Sequence, residues 1–121
     1  MFINISNHPT SKWGPEQLAT AEALGGVVQD LPFPAVDPEA STEDIRKLAA
    51  EYVADVLAMS DKPVCMVSGE FTFTYALVKA LLDAGVPCCA ATTAREVTEK
   101  VAEDGSVQKV ANFRFVKFRF Y

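Results

Sequence analysis

The stretch PVCMVSGEFTFTYALVKALLDAGVPCCAA, Pro63 to Ala91, decides the fold class. Val64 to Val67 is a short run with no polar break, which predicts a strand buried on both faces. Ser68-Gly69-Glu70 then turns the chain into a helix carrying Tyr75, Leu77, Val78, Leu81 and Leu82. Gly85 ends that helix, and Val86 to Ala91 forms a second continuous apolar run. A strand, a helix and a strand in this order make a parallel βαβ unit, with the helix packed on the face of a sheet.

Upstream, the same alternation occurs twice more. Phe2 to Ile5 is β-prone and stops at the loop formers Ser6-Asn7-His8-Pro9. Pro15 suits the first turn of a helix to Leu24, with Leu18, Ala21 and Leu24 on one face, and Gly25-Gly26 ends it. Val27 to Leu31 predicts a second strand, closed by Pro32-Phe33-Pro34. Ser41 or Thr42 then caps a long helix. Its Ile45, Leu48, Ala49, Tyr52, Val53, Val56 and Leu57 recur at intervals of three and four, giving one apolar face.

Downstream the pattern changes. Arg95 to Val101 and Val107 to Tyr121 read as two strands joined by the turn Glu103-Asp104-Gly105-Ser106. In the last run Phe113 and Phe115 flank Arg114, whereas Val116, Phe118 and Phe120 alternate with Lys117 and Arg119. The apolar face changes parity at Val116, which calls for a bulge or for burial on both sides. The expectation is therefore one Rossmann-like three-layer α/β domain spanning 1–121. A mostly parallel core occupies 1–91 and a C-terminal β-hairpin 92–121.

At 121 residues the chain suits a single domain, and half of it is hydrophobic, so disorder is not expected. No apolar run approaches the length of a membrane span, and the start lacks the basic and long apolar segments of a secretory signal. Three cysteines, two of them adjacent, read as reduced core residues of a cytoplasmic protein. The net charge of −5 disfavours a broad footprint on duplex nucleic acid. Residues 105–121, however, carry Lys109, Arg114, Lys117 and Arg119 with no acid. Trp13 is read as a packing or interface residue, with base stacking as the alternative.

In an open parallel sheet, ligands bind at the carboxyl ends of the strands. Three segments fall there: Ser6-Asn7-His8-Pro9-Thr10-Ser11-Lys12-Trp13, Ser68-Gly69-Glu70-Phe71-Thr72, and Thr92-Thr93-Ala94-Arg95. All are rich in hydroxyls, and two lead into helices or turns whose free N–H groups attract anions, so a phosphate-bearing ligand is expected. The fingerprints of nucleotide hydrolysis, dinucleotide redox chemistry, a nucleophile elbow and a Cys-x-x-Cys site are absent. One histidine with no Cys/His cluster gives no zinc pattern, and no cofactor is expected.

Each candidate also has a plainer role. His8 is either a polar loop residue or an acid–base group. Glu70 is either the acid that a helix N-terminus favours or a base. Thr92 and Thr93 either cap local backbone or hold a phosphate or ribose. Arg95 is either an anion ligand or a solvent-facing strand residue, and Arg114, Lys117 and Arg119 read as the polar face of a strand.

Together these segments resemble the short, stand-alone CRISPR-associated proteins with a CARF-like core, the ring nucleases of type III systems. The resemblance rests on Ile5-Ser6-Asn7-His8 with Pro15-Glu16-Gln17-Leu18, and on Gly69-Glu70-Phe71-Thr72-Phe73-Thr74-Tyr75. Ala91-Thr92-Thr93-Ala94-Arg95, Asp104-Gly105-Ser106 and Phe113 to Tyr121 complete it. It is closest over 64–121; Ser11 to Gly14 and the proline-rich Pro32 to Pro38 depart from the pattern. It implies a homodimer that binds a cyclic oligoadenylate, most simply cyclic tetra-adenylate, in antiviral defence. It also implies metal-independent attack of a ribose 2′-hydroxyl on its own phosphodiester. His8 would move the proton, with Glu70 as second candidate, and Arg95 or Lys12 would stabilise charge. The backbone around Asn7 to Thr10 and Ser68 to Phe71 would cradle phosphates, flanked by Ser6, Ser11 and Thr72, while Thr92 and Thr93 would hold the ring. A sensor or sponge that binds without cutting is the alternative, and a flavodoxin-like interaction domain is a third.

Overall fold

A computed structural model describes residues 1–121. Strands β1 (Phe2–Ser6), β2 (Val28–Asp30) and β3 (Val64–Ser68) alternate with helices α1 (Pro15–Gly25), α2 (Thr42–Met59) and α3 (Phe71–Asp83). Two long strands, β4 (Cys88–Val101) and β5 (Val107–Phe120), close the chain. They make one α/β domain around a five-stranded mixed sheet of order β2-β1-β3-β4-β5. The first four strands run parallel and β5 is antiparallel to β4.

Two apolar layers sandwich the sheet. Ile45, Ala49 and Val56 of α2 join Phe73, Leu77 and Leu81 of α3 over Ile3, Ile5, Cys65, Val67 and Cys88. On the opposite face Ala21 of α1 and Trp13 cover Phe2, Met66, Cys89 and Phe118. The even and odd residues of β4 divide between these layers, as the strand pleat requires. Ser41 caps α2 through a reciprocal box with Asp44, satisfying amides that the first turn leaves free. Leu24, expected on the packed face of α1, is exposed, and Gln17 is buried one turn before Ala21 instead.

One correction concerns the C-terminal third. The predicted fourth strand at Val86 to Ala91 and the separate strand from Arg95 are a single strand, Cys88–Val101. No glycine or proline interrupts 88–101, and the β-branched threonines at 92 and 93 extend a strand readily. The boundary expected between 91 and 92 therefore falls inside β4. The bulge anticipated at Val116 is present: Thr92 pairs with Lys117 but Thr93 with Phe115, leaving Val116 as the extra residue.

The sheet forks at its carboxyl edge. β4 pairs with β3 only at Cys88 and Cys89, while its ladder with β5 continues to Val101 and Val107. The Val67 carbonyl at the fork accepts from the Tyr121 hydroxyl at 3.0 Å. Beyond the fork, β4 and β5 continue as a two-stranded ribbon, closed by a turn with Gly105 at φ 84°. No helix is long and apolar enough to cross a membrane.

Candidate functional site

Strand order reverses between β1 and β3, because α1 leads to one side of β1 and α2 leads back to the other. Such a reversal opens a crevice at the carboxyl edge of the sheet. Asn4 of β1 lies below it, only 2% exposed, and the parallel register sets it beside Asp30 of β2. Its Nδ2 donates to Asp30 Oδ1 and to the His8 carbonyl, both at 2.9 Å. Its Oδ1 accepts from the Ser6 hydroxyl at 2.6 Å. A buried amide stays in an apolar strand only when so satisfied.

From this hub the loop after β1 is fixed in place. Asp30 accepts from the Thr10 amide at 3.2 Å and from its hydroxyl at 3.0 Å. The Trp13 indole donates to the His8 carbonyl at 3.0 Å, and the His8 amide donates to Ser6 Oγ at 3.1 Å. Thr10–Lys12 close as a single 3₁₀ turn. The His8 backbone is thus pinned at both ends of its peptide unit while the imidazole is exposed. Ser11 and Lys12 are exposed beside it. Next to this loop lies a cavity of about 260 Å³, lined by Ser6, Asn7, Pro9, Asp30 and Phe33 among others.

The other expected contacts are arranged differently. Glu70 is the N-cap of α3: its carboxylate accepts from the amides of Thr72 and Phe73 at 2.9 and 2.8 Å and from the Thr72 hydroxyl. Those bonds, the Phe73 amide first, hold its carboxyl below the usual range. The chain's own carboxylate therefore takes the donors that would have received a phosphate. Gly69 is covered too, for a Cβ there would strike the Phe33 ring. That ring stands edge-on to Phe73 at 5.2 Å, and Tyr52 approaches Phe73 from another side at 5.1 Å.

Phe71, 89% exposed, and Thr72 border a second cavity of about 670 Å³ between α2 and α3, which runs past Tyr75 and Lys79 to Asp83. It is the larger hollow, but it lies on the outer helical layer, whereas the smaller one sits at the strand-order reversal and is lined by the Asp30 carboxylate, the Ser6 hydroxyl and two asparagines. Ser68, exposed at the end of β3, ties the two loops together by accepting from the Asn7 amide through its carbonyl, at 3.4 Å.

Thr92 exchanges two hydrogen bonds with the Lys117 backbone at the bulge, at 3.1 and 3.2 Å, so its hydroxyl is used to fasten the fork. Thr93 and Arg95 follow on the ribbon. The Cys65, Cys88 and Cys89 thiols are pushed by burial to about 12, 11 and 12, which leaves them protonated and inert. The structure therefore brings Ser6, Asn7, His8, Thr10, Ser11 and Lys12 to one loop. Glu70, Gly69 and Thr92 have occupations within the fold. Asn4 and Asp30 were not singled out from sequence, although an asparagine inside Phe-Ile-Asn-Ile was a usable signal.

No curated protein and no solved structure matches the chain. A family model does match, over residues 1–119, and it is described as the Uncharacterized protein MJ1673 family. That match spans nearly the whole sequence, and the chain belongs to that family.

Proposed function

We propose that the protein is a cytoplasmic ring nuclease with a Rossmann-like core, which binds a cyclic oligoadenylate at the crevice between β1 and β3 and opens it. The observation that carries this reading is the anchored His8 backbone, its imidazole exposed, in the loop whose Asn7 and Pro9 line a cavity at the strand-order reversal. The resemblance in sequence to CARF-like ring nucleases supports it as well.

In the proposed step a ribose 2′-oxygen forms a bond to the adjacent phosphorus while the bond from phosphorus to the 5′-oxygen breaks. The products are a 2′,3′-cyclic phosphate and a 5′-hydroxyl. His8 takes the 2′ proton or returns one to the leaving oxygen, and Lys12, exposed in the same loop, offsets the charge that builds on the phosphate. Asp30, at the end of β2, has lone pairs left for a ribose hydroxyl. Because the nucleophile belongs to the ligand, the protein's main task is alignment.

One observation favours a sponge that holds the ring uncut. With Glu70 on the α3 amides and Asp30 in the cavity, few donors remain for phosphates. The test incubates the purified protein with labelled cyclic tetra-adenylate in EDTA, beside His8→Ala and Lys12→Ala. Linear products that fall by about 10²–10³ in His8→Ala establish the nuclease. An intact ring that stays bound establishes the sponge, and a ring that neither binds nor opens overturns both.

A further inference from the structure

The ribbon beyond the fork has no layer beneath it. From Thr93 to Arg114 nearly every residue is exposed, including Val97, Val101, Val107 and Phe113. A lone two-stranded ribbon is marginal in water, and three or more strands are needed for independent stability. Past Cys89 the edge of β4 that faces away from β5 has no strand beside it, so its backbone groups remain free to pair.

The two edges of the ribbon differ in charge. β5 carries Lys109, Arg114, Lys117 and Arg119 and no acid, so no register of pairing with itself can form an ion pair. β4 carries two charges of each sign, Arg95, Glu96, Glu99 and Lys100. Glu96 is already paired with Arg114 at 2.9 Å. Arg95 lies across from Phe113 and has no acid opposite it on β5. An antiparallel pairing of two β4 edges about Val97 sets Arg95 opposite Glu99 of the other copy, twice by symmetry. Glu96 then lies opposite Thr98, and no like charges face each other. A slip by half a residue sets Glu96 against Glu99 and Arg95 against Lys100. A full slip to a centre at Thr98 sets Glu96 against Lys100, but Glu96 is already held by Arg114, and Arg95 then faces Val101 with no acid.

We propose that two copies of this chain join through the β4 edges of their ribbons, antiparallel and centred on Val97, as one four-stranded sheet. The contact is isologous, since Arg95 meets Glu99 in both directions. The inference does not depend on the ligand reading, and it assigns Arg95 to assembly.

The test is sedimentation equilibrium of the whole chain with cysteine scanning. The unmodified protein should be a dimer at micromolar concentration, and Arg95→Glu or Glu99→Arg should each weaken it about tenfold or more, from two repulsive pairs. An equimolar mixture of those two variants should restore dimerisation, because every contact is then of opposite sign. Val97→Cys should cross-link under mild oxidation, Val101→Cys should not, and the parent with its buried thiols serves as control. Circular dichroism should show all variants folded, for the ribbon contributes nothing to either apolar layer up to Phe115. A monomer at about 100 μM, a dimer indifferent to the charge swaps, or cross-linking at Thr98→Cys in place of Val97→Cys overturns the proposal.

Discussion

Single residues decide whether the crevice exists. Asn4 is the only buried side chain that touches β2, Ser6 and the His8 peptide together. Asn4→Leu should cost about 1–3 kcal/mol, since the groups it served lose a partner inside the protein. Hydrogen exchange should show the Asn7 to Trp13 loop loosened before the rest. An unchanged denaturant midpoint would mean that water replaces the amide freely. Glu70 offers a second contrast. Its carboxyl is held low by the α3 amides, so its contribution to stability is full above the ordinary carboxylate range. That contribution is lost as pH falls through the lowered value. Glu70→Gln keeps an acceptor, so at neutral pH it should melt close to the parent, and its acid limb should be flatter. A large loss of turnover at unchanged melting would assign Glu70 to chemistry instead of the cap. The polar break at Asn4 is visible in sequence, but its partner Asp30 is not, for they are 26 positions apart and only the parallel register brings them together.

At the scale of elements, apolar patterning made the strand–helix order and the bulge at Val116 legible, because burial enforces a period on each. It gave no warning that β4 runs on through Thr92-Thr93, where hydroxyls suggested a loop but β-branching and the β5 ladder keep the strand extended. The loop after β2 also escaped pattern reading. Its Phe33 packs over Gly69 and against Phe73, and the Tyr52 hydroxyl donates to the Pro32 carbonyl at 2.7 Å, so the strand ends are clamped from above. Gly69→Ala forces the Phe33 ring aside and should destabilise by about 1–3 kcal/mol. Combined with Phe33→Ala, it should cost clearly less than the sum of the two single changes, because the smaller side chain admits the new methyl. Strict additivity in urea melts would show that the ring and the glycine do not share a site in solution.

On the scale of the whole molecule, the chain divides into a sandwich that carries the burial and a ribbon that carries almost none. The two apolar layers end at Ala91 on β4 and resume at Phe115 on β5. Ala94 and Arg114 are direct cross-strand partners just beyond the bulge. Replacing 95–113 with Asn-Gly therefore closes the ladder with a turn suited to a hairpin and removes no core residue. The slope of stability against urea scales with the surface that unfolding exposes, and the ribbon exposes most of its side chains already. The shortened chain should keep its urea midpoint, with only a small drop in slope and an extrapolated stability within the roughly 10–15% uncertainty of such extrapolations. Self-association through β4 should vanish at the same time, whereas the crevice at His8, built from β1, β2 and the loop after β1, should keep whatever ligand it binds as a monomer. A collapse of the midpoint would mean instead that the ribbon and the sandwich fold as one cooperative unit, with the Thr92 bulge as their joint.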